Sequence, residues 1–517
     1  MPRESHVRIV RALAEQGYNA DREAVTLLAG APDTATAIDD VVTAAPDDVL
    51  VLSAVHVDNV LETMADTGAA ASTASQTSPQ SRINPSVSAG IDQTTAGDNA
   101  DTAPVETGGS TTQTTHDNPA DRFSITGEFQ STGTGDYADF LSVFRDRYER
   151  LAALLRGRVT HRPVETIVEL SGGSDAGLIG MVSDVRSTNN GNWLVELEDT
   201  TGRFPCLVTD DELASTVRTL LRDEVVAVKG QLADDGGILF VDALHVPDVP
   251  RTHTPSTADR SVRAALVSDI HVGSDEFRSG AWEQFAEWLH SEAAADVEYL
   301  LIAGDMVEGV GVYPGQDDEL AIVDIYDQYE RFSEHLKSVP GDMEIVMIPG
   351  NHDAARLAEP QPAFEDKLRE IMRAHDATIS ANPSTVTIDG VSILLYHGVS
   401  LDELIAELPD EQASYDRPAE TMHQLLRKRH LAPQYGGSTR IAPEAEDHMV
   451  IETVPDIFHT GHIHKLGCGR YNGVLSINSS CWQSQTAFQE SVNLDPDVGY
   501  APIVDLETLE LTVRQFV

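Results

Sequence analysis

The chain has 517 residues, 41% of them apolar, and 84 acidic against 35 basic side chains give it a formal charge of −49. Its length exceeds one ordinary domain, so roughly two to four units are expected. Such acidity repels nucleic acid in dilute salt, but the Debye length is roughly 3 Å at 1 M salt, and only five basic residues are lysine; the composition therefore reads as the solvated surface of an extreme halophile and does not exclude DNA.

Residues 1–66 read as a small helical domain, with Val7, Val10, Leu13 and Ala14 at helical spacing. Charged residues interrupt the first helix and no apolar run approaches about 18 residues, which excludes a secretory leader and a membrane span and predicts a cytoplasmic protein. Cys206, Cys468 and Cys481 are too scattered for a disulfide framework or a thiolate zinc site. Residues 67–135 are rich in Ser, Thr, Gly and Asp and are expected to be a disordered acidic and polar linker. Over 136–162 an amphipathic helix is predicted, striped by Phe140, Val143, Phe144, Tyr148, Leu151 and Leu155.

The period changes over 163–250, where "GLIGMVSDVRS", "NWLVELEDTTGRFPCLV", "EVVAVKGQL" and "ILFVDALHV" alternate with Gly-containing turns. About five strands and one helix predict an oligonucleotide-binding-type (OB-fold) barrel. Its few aromatic residues, Trp193, Phe204 and Phe240, leave open whether it contacts DNA or only protein.

After a linker at 251–260, residues 261–517 repeat one arrangement: an apolar run ends and a ligand-type residue follows. "RAALVSDIH" yields Asp269 and His271, "YLLIAGDMVE" yields Asp305, and "EIVMIPGNHD" yields Asn351, His352 and Asp353. "SILLYHG" yields His397 and "DIFHTGHIH" yields His462 and His464. In a layered α/β domain such residues gather where strands end. Carboxylates, imidazoles and one amide without a thiolate suit two divalent ions, manganese first, with iron, zinc or magnesium as alternatives.

In that order, the motifs resemble the calcineurin-like metallophosphoesterase superfamily over roughly 261–480. The resemblance implies a layered α/β sandwich in which Asp269, His271 and His464 hold one metal. Asn351, His397 and His462 would hold the second, with Asp305 bridging. It also implies that His352 is the catalytic residue beside the scissile phosphate, with Asp353 orienting it. The domain order, with "VFRDRYERL", "GVGVYPGQDDEL" and "LLRKRHLAPQYGG", is similar to the small-subunit family of archaeal family D DNA polymerases. That implies a 3′ to 5′ proofreading exonuclease paired with a large catalytic subunit and acting on a primer-template 3′ end, with a sliding clamp as a further partner. Competing expectations are a structural polymerase subunit that has little activity and a free-standing phosphomonoesterase.

Two stretches stay open. Arg427, Lys428, Arg429 and His430 form the densest basic run, suited to a DNA backbone or to a helix end paired with carboxylates. Residues 309–320, after Asp305, either shape substrate access or form a surface loop.

Overall fold

In the computed structural model, residues 137–517 are described except 314 and 315, together with 122–129, residue 131 and parts of the first 60 residues. Most of the predicted linker, 67–121 and 132–135, lies outside the described residues. At the N-terminus α1 (Arg22–Gly30) and α2 (Thr34–Ala44) pack beside a short parallel pair, β1 (Asn19–Ala20) and β2 (Val51–Leu52). Leu28, Ile38 and Leu52 share their core with Ile9 and Leu13.

The end of the predicted linker requires correction. Residues Phe123–Thr126 form β3, an edge strand antiparallel to β13 (Ser384–Ile388). The segment "FSIT" alternates apolar and polar residues, so one face of it is apolar. Phe123 and Ile125 pack on the core beneath, and the Phe123 ring stacks 6.1 Å from Tyr299. Averaging over a Ser- and Thr-rich segment hides that alternation.

Helix α3 (Tyr137–Leu155) is shorter than predicted and stops just before Gly157. Its Leu151, Ala152 and Leu155 lie against Ile179, Met181, Val225 and Ala227 on the outside of a barrel. That barrel is closed, in the order β4 (Asp175–Ser187), β5 (Trp193–Asp199), β6 (Gly202–Val208), β8 (Leu239–His245), β7 (Val225–Leu232). Leu178, Leu197, Phe204, Cys206, Val228 and Leu239 fill it. The intervening helix α4 (Asp211–Val217) is capped by Asp210, whose side chain accepts from the Glu212 and Leu213 amides.

Beyond the barrel two six-stranded sheets face each other. The first runs β12 (Thr378–Ile379), β11 (Glu344–Ile348), β10 (Val297–Ala303), β9 (Arg263–Val267), β18 (Tyr500–Asp505), β19 (Glu510–Gln515). The second runs β16 (Leu466–Tyr471), β17 (Val474–Ser479), β15 (Ile457–Thr460), β14 (Val391–Leu395), β13, β3. Between them Leu266, Leu301 and Ile348 meet Ile393, Leu395, Ile457 and Ile477, all fully buried. Burial of each such side chain is worth about 1.5 to 3 kcal/mol. Helices α5 (Ser279–Leu289) and α6 (Ile325–Leu336) cover the first sheet's outer face. Helices α7 (Ser400–Glu407) and α8 (Pro418–Lys428) cover the second sheet's. Apolar runs in the central strands follow from burial on both faces.

Of the two readings of the basic run at the end of α8, the helix end paired with carboxylates is the one observed, and a DNA-facing run is not. Lys428 is buried, with Nζ 2.5 Å from Glu224 of the barrel and from the Thr219 carbonyl. Arg429, also buried, donates to the carbonyls of Ile451, Asp248 and Glu452. His430 lies 2.9 Å from Asp447, which is paired at 2.6 Å with buried Arg147 of α3. Half-buried Arg427 donates to Thr216. Most of the run thus fastens barrel, α3 and sandwich together and does not face solvent, because desolvated charges must be matched by carboxylates and carbonyls.

Candidate metal centre

Strands β9, β10 and β11 are mutually parallel neighbours, as are β14 and β15. The loops leaving their C-terminal ends carry Asp269, His271, Asp305, Asn351, His352, His397, His462 and His464. Five of these hold left-handed backbone: Asp269 (φ 52°), His271 (56°), Asp305 (52°), His462 (73°) and His464 (53°). Each such residue without a glycine's freedom costs about 1 kcal/mol or more, and the strain turns successive side chains to one point. Glycine permits the close approach: a Cβ at Gly350 would lie 2.2 Å from Asp305 Oδ1, and at Gly461 2.2 Å from Asp269 Oδ2.

Three ligand groups result. Asp269, His271 and His464 bring donor atoms within 4.8 Å of one another, as do Asp305, His397 and His462, and His271 with Glu308 and His352. Asn351 Oδ1 is 3.0 Å from His397 Nε2 and joins the second group. Asp305 Oδ2 lies between the first two, 3.2 Å from His397 Nε2 and 3.8 Å from His271 Nε2.

The charge balance fits cations. Asp269, Asp305 and Glu308 are essentially solvent-free carboxylates, which is costly without positive charge beside them. The neighbouring imidazoles supply part of that charge. Burial opposes ionisation of Asp305, yet His397, His352 and His271 hold its carboxyl well below the ordinary range. Burial would lower His397, but Asp305 raises it to about 10. His271 Nε2 and His464 Nε2 stand 3.0 Å apart, two donors aimed at one point. Such a set exchanges protons for metal when it loads. These residues suit divalent ions, and Asp305 lies within reach of both His397 and His271.

His352 stands at the edge of the first group, its ring 4.7 Å from that of His271 and its donor atom grouped with those of His271 and Glu308. Its amide donates to Asp305 Oδ1 at 2.8 Å, and its Nδ1 lies 2.8 Å from the Glu308 carbonyl oxygen. The expectation that Asp353 orients His352 is corrected. Asp353 is buried and accepts from Tyr329 Oη (3.0 Å) and the Gly350 amide (2.8 Å), so it shapes the turn instead. Burial, aided by Asp305, pushes its carboxyl up to about 7.

Three residues that face the centre do not stand out in the sequence. Glu308 Oε2 lies 2.8 Å from His271 Nδ1, Asp402 Oδ2 lies 3.2 Å from His462 Nε2, and Gln489 Nε2 lies 2.8 Å from His464 Nδ1. The position of Glu308, three residues after Asp305, is the only local signal. Trp482 is fully buried against Trp282 and Phe285, as a core residue would be. Among the described residues, no helix is long and apolar enough to cross a membrane.

The sequence profile of a family of DNA polymerase components, the B subunits of polymerases alpha and epsilon, matches residues 264–466. A Halobacterium salinarum protein named DNA polymerase II small subunit is 61% identical over 519 residues, covering 100% of both chains. A protein of the same name from Archaeoglobus fulgidus is 44% identical over 383 residues, 72% of this chain and 76% of the relative. Among solved structures, an archaeal phosphodiesterase aligns with 49% of this chain and 99% of its own at 15% identity, with a TM-score of 0.27, too low to bear on the fold.

Proposed function

The chain belongs to the family of archaeal DNA polymerase II small subunits, and from that premise we propose that its metal centre supplies the 3′ to 5′ proofreading exonuclease of the assembled polymerase. One observation carries this reading: a full set of carboxylate, imidazole and amide donors, held in strained backbone at the ends of five strands around Asp305. A subunit with a purely structural role gains nothing from that strain.

Two divalent ions bound there, manganese first, would activate water and neutralise charge at phosphorus. Asp269, His271 and His464 would hold one, Asn351, His397 and His462 the other, and Asp305 both. His352 would act on the scissile phosphate as general acid or as a donor to its oxygens, with the Glu308 carbonyl fixing its ring. We read the closed barrel as an OB-fold whose tie to α3 and α8 serves assembly with the large subunit, and the primer-template 3′ end as the substrate.

Metal content of the full chain, equilibrated with manganese in molar KCl, tests the assignment. Two ions per chain are expected, and Asp305→Asn should lose most of both along with hydrolysis. An Asp305→Asn protein that keeps both ions would contradict the bridging role.

A further inference from the structure

Tyr313 and Phe488 lie far apart in sequence, in the loop after β10 and in the short helix α9 (Ala487–Ser491), yet their rings stack at 5.4 Å and 30°. The Tyr313 ring is also 6.2 Å from the His352 ring, and Phe488 is 49% exposed. Neither ring is held by apolar packing alone. Tyr313 Oη donates to Glu308 Oε1 and Glu319 Oε2, each at 3.2 Å. Glu308 in turn faces His271 through Oε2 and His352 through its carbonyl. Phe488 sits inside a capping box made by Thr486 and Gln489, and Gln489 reaches His464. Each ring is therefore fixed one residue away from the metal centre, and the pair forms an aromatic ledge beside His352.

We propose that this ledge receives the terminal nucleobase of the DNA strand being shortened, a proposal that rests on the nuclease reading and names the part of the substrate bound beside the phosphate. Stacking on an aromatic face tolerates any base, as removal of whatever nucleotide stands at a 3′ end requires. The Glu319 carboxylate, which accepts from Tyr313 on the side of the ledge, repels phosphate, so the backbone runs on the metal side and the base on the ring side.

The test uses the full chain assembled with its large subunit, in manganese and molar KCl, and two oligonucleotides that differ only in a 3′-terminal thymidine or abasic deoxyribose. The assembly with unaltered chain should favour the base-bearing end in kcat/KM by about tenfold or more. Phe488→Leu keeps apolar bulk for the loop but removes the ring face, and should bring the ratio near one through a higher KM for the base-bearing strand. Phe488→Tyr should retain the preference. A Phe488→Leu protein with an unaltered ratio, or with equal loss on both strands, would overturn the ledge and leave the contact as loop packing. Failure of the unaltered assembly to cut either strand would instead sink the nuclease reading itself.

Discussion

Glu359 shows what burial does to a single carboxyl in this molecule. It is fully buried, accepts from Tyr396 Oη at 2.8 Å, and is linked through Asn382 to the His397 amide. Burial pushes its pKa from 4.5 up to about 7. A carboxyl whose folded pKa is raised contributes stability below its unfolded pKa and loses it as pH rises through the folded value; here the loss spans pH 4.5 to about 7 and amounts to about 3 kcal/mol. Glu359→Gln, which cannot ionise, should therefore flatten the decline in denaturation midpoint between about pH 5 and 8; an unchanged slope would show that Glu359 is ionised throughout. At this scale the site is legible wherever chemistry and position coincide locally. Asp269, His271, Asp305, Asn351, His397, His462 and His464 each follow an apolar run. Glu308 and Asp402 do not stand out because 84 acidic residues populate the sequence and only the fold selects these two. Asp353 eludes a sequence reading for a related reason: its partners, Tyr329 and Gly350, are set by how α6 packs on the turn.

Two elements behave differently from their composition. Strand β3 is pinned by ladder bonds to β13, by the Phe123–Tyr299 stack and by Arg122 facing Asp389 at 3.8 Å. Limited proteolysis should accordingly leave a core fragment that begins before Arg122; a stable core beginning at or after Tyr137 would show that the strand is dispensable. The end of α8 is basic in sequence and suggests an outward face, but its cations are matched inside. Lys428→Ala would leave Glu224 buried and without its partner, which costs about 3 to 5 kcal/mol, measurable as a lower denaturant midpoint. A phosphate-tracking lysine would give the reverse pattern, with unchanged stability and a shallower salt dependence of DNA binding. Helical and strand periods are legible because they are local. Which charged ends face inward is not, since Lys428 finds its partners in Thr219 and Glu224, on a barrel far away along the chain.

Across the whole molecule, the barrel, α3 and the double sheet form one continuous body through Arg147, Asp447, His430, Lys428 and Glu224. The sandwich faces its strand ends, and hence the metal donors, to one edge, while the barrel is fixed to the helices of the second sheet. If this edge hydrolyses DNA 3′ ends, the assembled polymerase removes mismatched primer termini. Assemblies carrying the unaltered chain or His352→Ala are given a labelled primer with a mismatched 3′ end, with manganese in molar KCl, and their metal content is measured alongside. Both should extend matched primers and hold the same metal, while His352→Ala should remove mismatched ends about 10² to 10⁴ times more slowly. Mismatch removal at the unaltered rate by the His352→Ala assembly would rule out a catalytic edge here.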